Sequence, residues 1–218
     1  MKIIHLLFLL KDYFTFLLIF HLGGSEQRVT YGSVIKLINM DYNVRLHSHD
    51  VNYGTGSGQQ SVTATHQQED VNSHWLIKPP TKPSARGEPV KCGDKIRLQH
   101  LSTSKNLHSH HFSSPLSGNQ EVSAYGVNGE GDSGDHWVVL CSSEFWNRNE
   151  EIMLRHVDTD VYLSVSGRQY GSPISGQMEV VGTSKMSSVH WKAGEGLFIH
   201  PSDLNHAKEA FEHVHSEL

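Results

Sequence analysis

The chain has 218 residues, enough for one domain with a single core and short flanking segments. Its 18 Lys and Arg against 23 Asp and Glu give a formal net charge of -5 with no basic run, which argues against a nucleic-acid partner. An apolar fraction of 37% with only two cysteines excludes both a disordered polar chain and a disulfide-dense miniprotein.

In chain order, residues 3–22 are apolar apart from Lys11, Asp12, His5 and His21. Read as a membrane anchor, this stretch places an ion pair in mid-bilayer. Read as a secretory signal, it has a basic start with Lys2 and Lys11, an apolar run from Tyr13 to Leu22, and small residues Gly23 and Ser25 before Glu26. The second reading is preferred: a signal peptide over residues 1–25 and no membrane span in the mature chain.

Beyond it, one short pattern occurs three times: Gly58-Gln59-Gln60-Ser61-Val62, Gly118-Asn119-Gln120-Glu121-Val122 and Gly176-Gln177-Met178-Glu179-Val180. Each is followed by a His-Trp pair, ending at Trp75, Trp137 and Trp191. Upstream, Leu37, Leu98 and Leu154 precede Leu46, Leu107 and Leu163 at a constant interval. Residues 29–80, 90–141 and 146–200 are therefore three copies of one design. In the first copy, Ile35–Leu37, Val44–Leu46, Ser61–Ala64 and Trp75–Ile77 alternate with polar residues between turn formers, which predicts four short strands per copy. Propellers need more blades and solenoids need capping units. The expected fold is an all-β, closed β-trefoil of pseudo-threefold symmetry over residues 26–200, with the repeated Leu, Val and Trp residues in a shared core.

Cys92 opens the second copy and Cys141 closes it, a disulfide candidate with two buried free thiols as the alternative. Removing His5 and His21 from 17 histidines leaves fifteen, among them His47 and His49, and His108, His110 and His111. An H-x-H on a strand puts both rings on one face, but no third ligand follows at a fixed spacing, and no metal is expected. Gly129 to Gly134 matches G-x-G-x-x-G, yet a strand-like segment follows it and its acids would repel phosphate. No nucleophile elbow, zincin helix or C-x-x-C occurs, so neither catalytic residues nor a cofactor are expected. Tyr53, Phe112 and Tyr170 sit at matching places ahead of the shared Gly. They either pack on their own hairpins or form stacking platforms for polypeptide or sugar. After Pro201 the repeat ends in a flexible tail, residues 201–218, with a short helix expected over Asp203 to about His213. The terminus His215-Ser216-Glu217-Leu218 reads as an endoplasmic reticulum retrieval signal with Ser in place of the usual acid, which leaves room for partial secretion.

The strings Tyr53 to Val62, Asn106 to Phe112, Asn119 to Ala124 and Gly194 to Ile199 closely resemble the stromal cell-derived factor 2 proteins, which consist of three MIR repeats. The resemblance covers residues 28–200. It implies a β-trefoil in the endoplasmic reticulum lumen, a non-enzymatic cofactor that works with a lumenal J-domain protein and Hsp70 to keep unfolded clients soluble. The MIR module is shared with protein O-mannosyltransferases, whose chemistry resides in a membrane part that this chain lacks. The alternative is a carbohydrate-binding module for O-mannosylated or other glycosylated clients. His rather than the Gln-x of ricin-type trefoil lectins precedes each Trp.

Overall fold

The computed structural model describes residues 28–80 and 86–200, which are all-β apart from two single-turn 3-10 segments. The expected signal peptide, tail helix and retrieval signal lie outside the described residues. Twelve strands follow in order: β1 (Val34–Asn39), β2 (Val44–Asn52), β3 (Gln60–Thr65), β4 (Trp75–Lys78), β5 (Lys95–His100), β6 (Asn106–Ser113), β7 (Gln120–Tyr125), β8 (Trp137–Leu140), β9 (Met153–His156), β10 (Tyr162–Gln169), β11 (Met178–Thr183) and β12 (Trp191–Leu197). The second strand of each copy runs well past its apolar trio, because the polar arm beyond it finds a hairpin partner in β3, β7 or β11.

Each copy hands its last strand to the first strand of the next. β4 pairs with β5 at Trp75 and His100, β8 with β9 at Trp137 and His156, and β12 returns to β1 at Trp191 and Asn39. Within a copy, the Trp faces an Ile in or just before the first strand: Ile35 opposite Trp75, Ile96 opposite Trp137, and Ile152, one residue ahead of β9, opposite Trp191. These pairings make a closed circuit. At one end the third strands pair with one another, β3 with β7, β7 with β11 and β11 with β3. At the other, the copies begin in a ring of backbone bonds: Val29 N donates to Trp146 O at 2.8 Å, Trp146 N to Val90 O at 2.9 Å, and Val90 N to Val29 O at 3.0 Å.

The interior follows the repeat. Leu37, Leu98, Leu154, Leu46, Leu107, Leu163, Val62, Val122, Val180 and the indoles of Trp75, Trp137 and Trp191 are each at most 1% exposed. Burial of each contributes roughly 1.5–3 kcal/mol. A buried indole must also place its N–H. Here Nε1 of Trp75, Trp137 and Trp191 donates to the carbonyls of Leu46, Leu107 and Leu163 at 2.9, 3.0 and 2.9 Å. Cys92 and Cys141 are joined, with their Cα atoms 5.4 Å apart, tying the start of the second copy to its end.

Candidate functional site

Three positions beside the indoles are occupied by His100, His156 and Asn39. The imidazoles lie 5.0 Å from Trp75 and 4.9 Å from Trp137, centroid to centroid. His100 Nε2 contacts Asn72 O at 2.9 Å and His156 Nε2 contacts Gly134 O at 2.8 Å, so each Nε2 carries the proton. Their Nδ1 atoms accept from the Thr103 and Thr159 hydroxyls, both at 2.8 Å. In the third place the Asn39 amide donates to Ser188 O at 2.8 Å. Burial pushes His100 down to about 4 and lowers His156, in both cases against the pull of the backbone carbonyl. These are neutral structural rings.

The H-x-H histidines lie farther out on β2 and β6. His47 Nδ1 is 2.7 Å from Asp70 Oδ2, and its Nε2 is 2.8 Å from His49 Nδ1. Burial works against the Asp70 charge, but hydrogen bonds from Ser73 and His47 outweigh it and hold its carboxyl below the usual range. In the second copy His108 Nδ1 is 3.0 Å from Asp135 Oδ1 and 3.6 Å from Asp132 Oδ1. Here an open groove of about 410 Å³ is lined by His108, His110, His111, Tyr125, Asp132 and Asp158, among others. Three rings run along it, Tyr125 to His108 at 4.8 Å and His108 to His110 at 5.0 Å, and Phe112 extends the row beyond the lining at 4.7 Å from His110.

Tyr53, Phe112 and Tyr170 do not form a matched exposed set. Tyr53 is buried; its hydroxyl accepts from Val62 N at 3.2 Å and faces the carbonyls of Val62 and Val122 at 2.9 and 3.0 Å. Burial raises its pKa far above the usual phenol value. It is a core residue at the junction of β3 and β7, which corrects the stacking-platform reading for this position. Phe112 is also out of register with the other two. The amides of Tyr53 and Tyr170 donate to Gln59 O and Gln177 O, but in the second copy it is Ser114 N that donates to Asn119 O. Ser114 holds the equivalent place, and Phe112, two residues earlier, is 50% exposed and packs on the His110 ring. Tyr170 is half-buried.

Sequence reasoning passed over two groups. Trp146 is fully buried where the copies begin, outside the His-Trp pattern. The carboxyl groups of Glu121 and Glu179, fully buried, each hold the hairpin loop of the preceding copy: Glu121 accepts from Ser57 N at 3.3 Å and from the Ser57 hydroxyl, and Glu179 from Leu116 N at 2.8 Å and Ser117 N at 3.2 Å. The signal was the position before the shared Val, which carries Glu in two copies and Ser61 in the first.

The MIR domain family matches residues 37–145. Stromal cell-derived factor 2 of Mus musculus is 57% identical over 189 residues, covering 85% of this chain and 90% of that protein. The chain belongs to the stromal cell-derived factor 2 family. Within that family, the crystal structure of the Arabidopsis thaliana SDF2-like protein superposes with a TM-score of 0.77 at 44% identity, covering 79% of this chain and 98% of that one. The Saccharomyces cerevisiae protein O-mannosyltransferase Pmt1–Pmt2 complex bound to the sugar donor matches with a TM-score of 0.71 and 29% identity. That match covers 80% of this chain but 26% of the mannosyltransferase chain. The stromal cell-derived factor 2 architecture therefore corresponds to a part of a larger enzyme.

Proposed function

We propose that this chain is a non-enzymatic chaperone cofactor of the endoplasmic reticulum lumen, acting with a J-domain protein and Hsp70 to keep unfolded clients soluble. Membership in the stromal cell-derived factor 2 family carries the reading. The Cys92–Cys141 pairing supports an oxidising compartment. Residues 1–25 act as the signal peptide and His215, Ser216, Glu217 and Leu218 as the retrieval signal. The three MIR repeats, 29–80, 90–141 and 146–200, form a β-trefoil of pseudo-threefold symmetry; the closed strand circuit and the thrice-repeated Trp to Leu hydrogen bond support it. The test is a pull-down from lumenal extract, paired with the aggregation rate of a reduced client. Recovery of the J-domain protein and Hsp70 with slowed aggregation is expected; recovery of neither, with aggregation unchanged, overturns the proposal.

A second reading is glycan binding, favoured by the likeness to the sugar-donor-bound mannosyltransferase complex and by the ring-lined groove beside Phe112. Sugars recognised there would stack on Phe112 or Tyr125 and use the neighbouring Asp and Gln side chains. A glycan array supports this if it gives hits that Phe112→Ala abolishes, and millimolar sugars without a hit remove it.

A further inference from the structure

His108, of the second copy's H-x-H, has no ligand partner at a fixed spacing in the sequence, and the fold supplies two. The turn that enters β8 brings Asp132 and Asp135 back over the β6 ring, so that ligand atoms of His108, Asp132 and Asp135 all lie within 4.8 Å of one another. We propose that His108, Asp132 and Asp135 bind a divalent transition-metal ion of zinc's type. Two donors each about 2.0–2.1 Å from a tetrahedral ion stand roughly 3.3 Å apart. The 3.0 and 3.6 Å separations from His108 Nδ1 to the two Asp oxygens straddle that value. One imidazole with two carboxyl oxygens is a donor set that suits zinc and its neighbours better than calcium or magnesium.

The ligands are held from behind. Asp135 is fully buried, and its Oδ2 accepts from Asn106 Nδ2 and Asp132 N, both at 3.1 Å, leaving Oδ1 aimed at His108. Asp132 in turn accepts from Gly134 N at 2.9 Å, closing a capping box. Gly134 lies so close to the His108 ring that any side chain there would strike it, which lets the turn close down on the imidazole. Such outer contacts fix ligand orientation in metal sites. Arg97 is the cation nearest the pair, 4.0 Å from the far oxygen of Asp135, and its guanidinium also donates to Asp132 O at 3.0 Å. The ion takes the place of the proton that His108 Nδ1 shares with Asp135. His108 is 4% exposed while the Asp132 side chain is 56% exposed, so the ion would sit at the floor of the groove with a coordination position open to it.

The other two copies are internal comparisons. In the first, Ser73 stands where the second has Asp135, two residues before the Trp, and donates to Asp70 at 2.5 Å. His47 Nε2 is already engaged by His49, and only one carboxyl group is at hand. In the third copy Ser164 replaces the histidine and bonds to Ser187 O at 3.0 Å. Among the described residues, the cluster belongs to the second copy alone.

The experiment is a calorimetric titration of Zn²⁺ into the metal-stripped full-length protein, with Co²⁺ as a spectroscopic substitute. One saturable site and an intense visible Co²⁺ band are expected. Asp135→Ser, the residue the first copy carries, and Asp132→Asn, which keeps the cap, should each weaken Zn²⁺ at least about tenfold. His49→Ala and His66→Ala should change it less than about twofold, since neither residue touches the cluster. No saturable site tighter than about 0.1 mM overturns the proposal, that being weaker than dedicated protein zinc sites by many powers of ten. Equal losses in the His49 and His66 variants, with folded Asp132→Asn unaffected, would overturn it too, by assigning the heat to scattered histidines.

Discussion

His100, His156 and Asn39 give one structural task to two chemistries, an N–H donor to a backbone carbonyl. Asparagine performs it without titrating. His100→Asn should therefore fold and lose less stability than His100→Ala, which leaves Asn72 O unpartnered at a cost of about 1–3 kcal/mol. The acid sensitivity has a definite sign. The folded His100 ring takes up a second proton only near 4, against an ordinary 6.5, so the folded state binds fewer protons than the unfolded between those values. Its stabilisation is complete above about 6.5 and is lost as pH falls toward about 4, on the order of 3 kcal/mol. Urea unfolding midpoints from pH 7 to 4 should drop for the wild type and drop less for His100→Asn; parallel curves would refute the assignment.

At the scale of elements, the hairpins are fastened to their neighbours by side chains. Glu121→Ala should free the Gly54–Gly58 loop, because its backbone N–H and hydroxyl at Ser57 lose their acceptor. Amide exchange at Ser57 should speed up at least about tenfold, with a stability loss of about 1–3 kcal/mol. The first copy offers Ser61 in the same place, and its hydroxyl turns back to Val51 O at 2.8 Å. The loop that precedes Gly176 therefore lacks the carboxyl latch that holds the other two. The bond from Cys92 to Cys141 closes about 50 residues. On the chain-entropy model, Cys92→Ala with Cys141→Ala should cost about 4 kcal/mol, read as a lower denaturation midpoint.

For the whole molecule, no copy can complete its core alone. β1 needs β12, the third strands need each other, and Val29, Val90 and Trp146 close one end only as a set. A chain ending at residue 141 would leave Leu37 without Ala193 and Trp137 without His156. It should show neither a cooperative thermal transition nor protected amides, whereas the full chain should show both. An independently folding two-copy fragment would contradict this account.

The repeated Leu, Val and Trp positions were legible because burial demands apolar residues at fixed strand intervals, and each copy must meet that demand in the same way. Trp146 was not, since its partners are the openings of the other two copies. The matching of Phe112 with Tyr53 and Tyr170 failed for a local reason. The register shift falls at the same place in each hairpin, but the stretch from Tyr53 to Gly58, from Ser114 to Gly118 and from Tyr170 to Gly176 differs in length, so counting back from the glycine does not preserve position. The cluster of His108 with Asp132 and Asp135 escaped the sequence because its ligands come from two separate segments. By itself the sequence determined the strands, the buried rows and the family, all of which depend on local periodicity or on long shared strings. Only the tertiary structure decided which polar groups meet, because a hydrogen bond or a ligand set depends on ångström distances between segments that chain spacing does not fix.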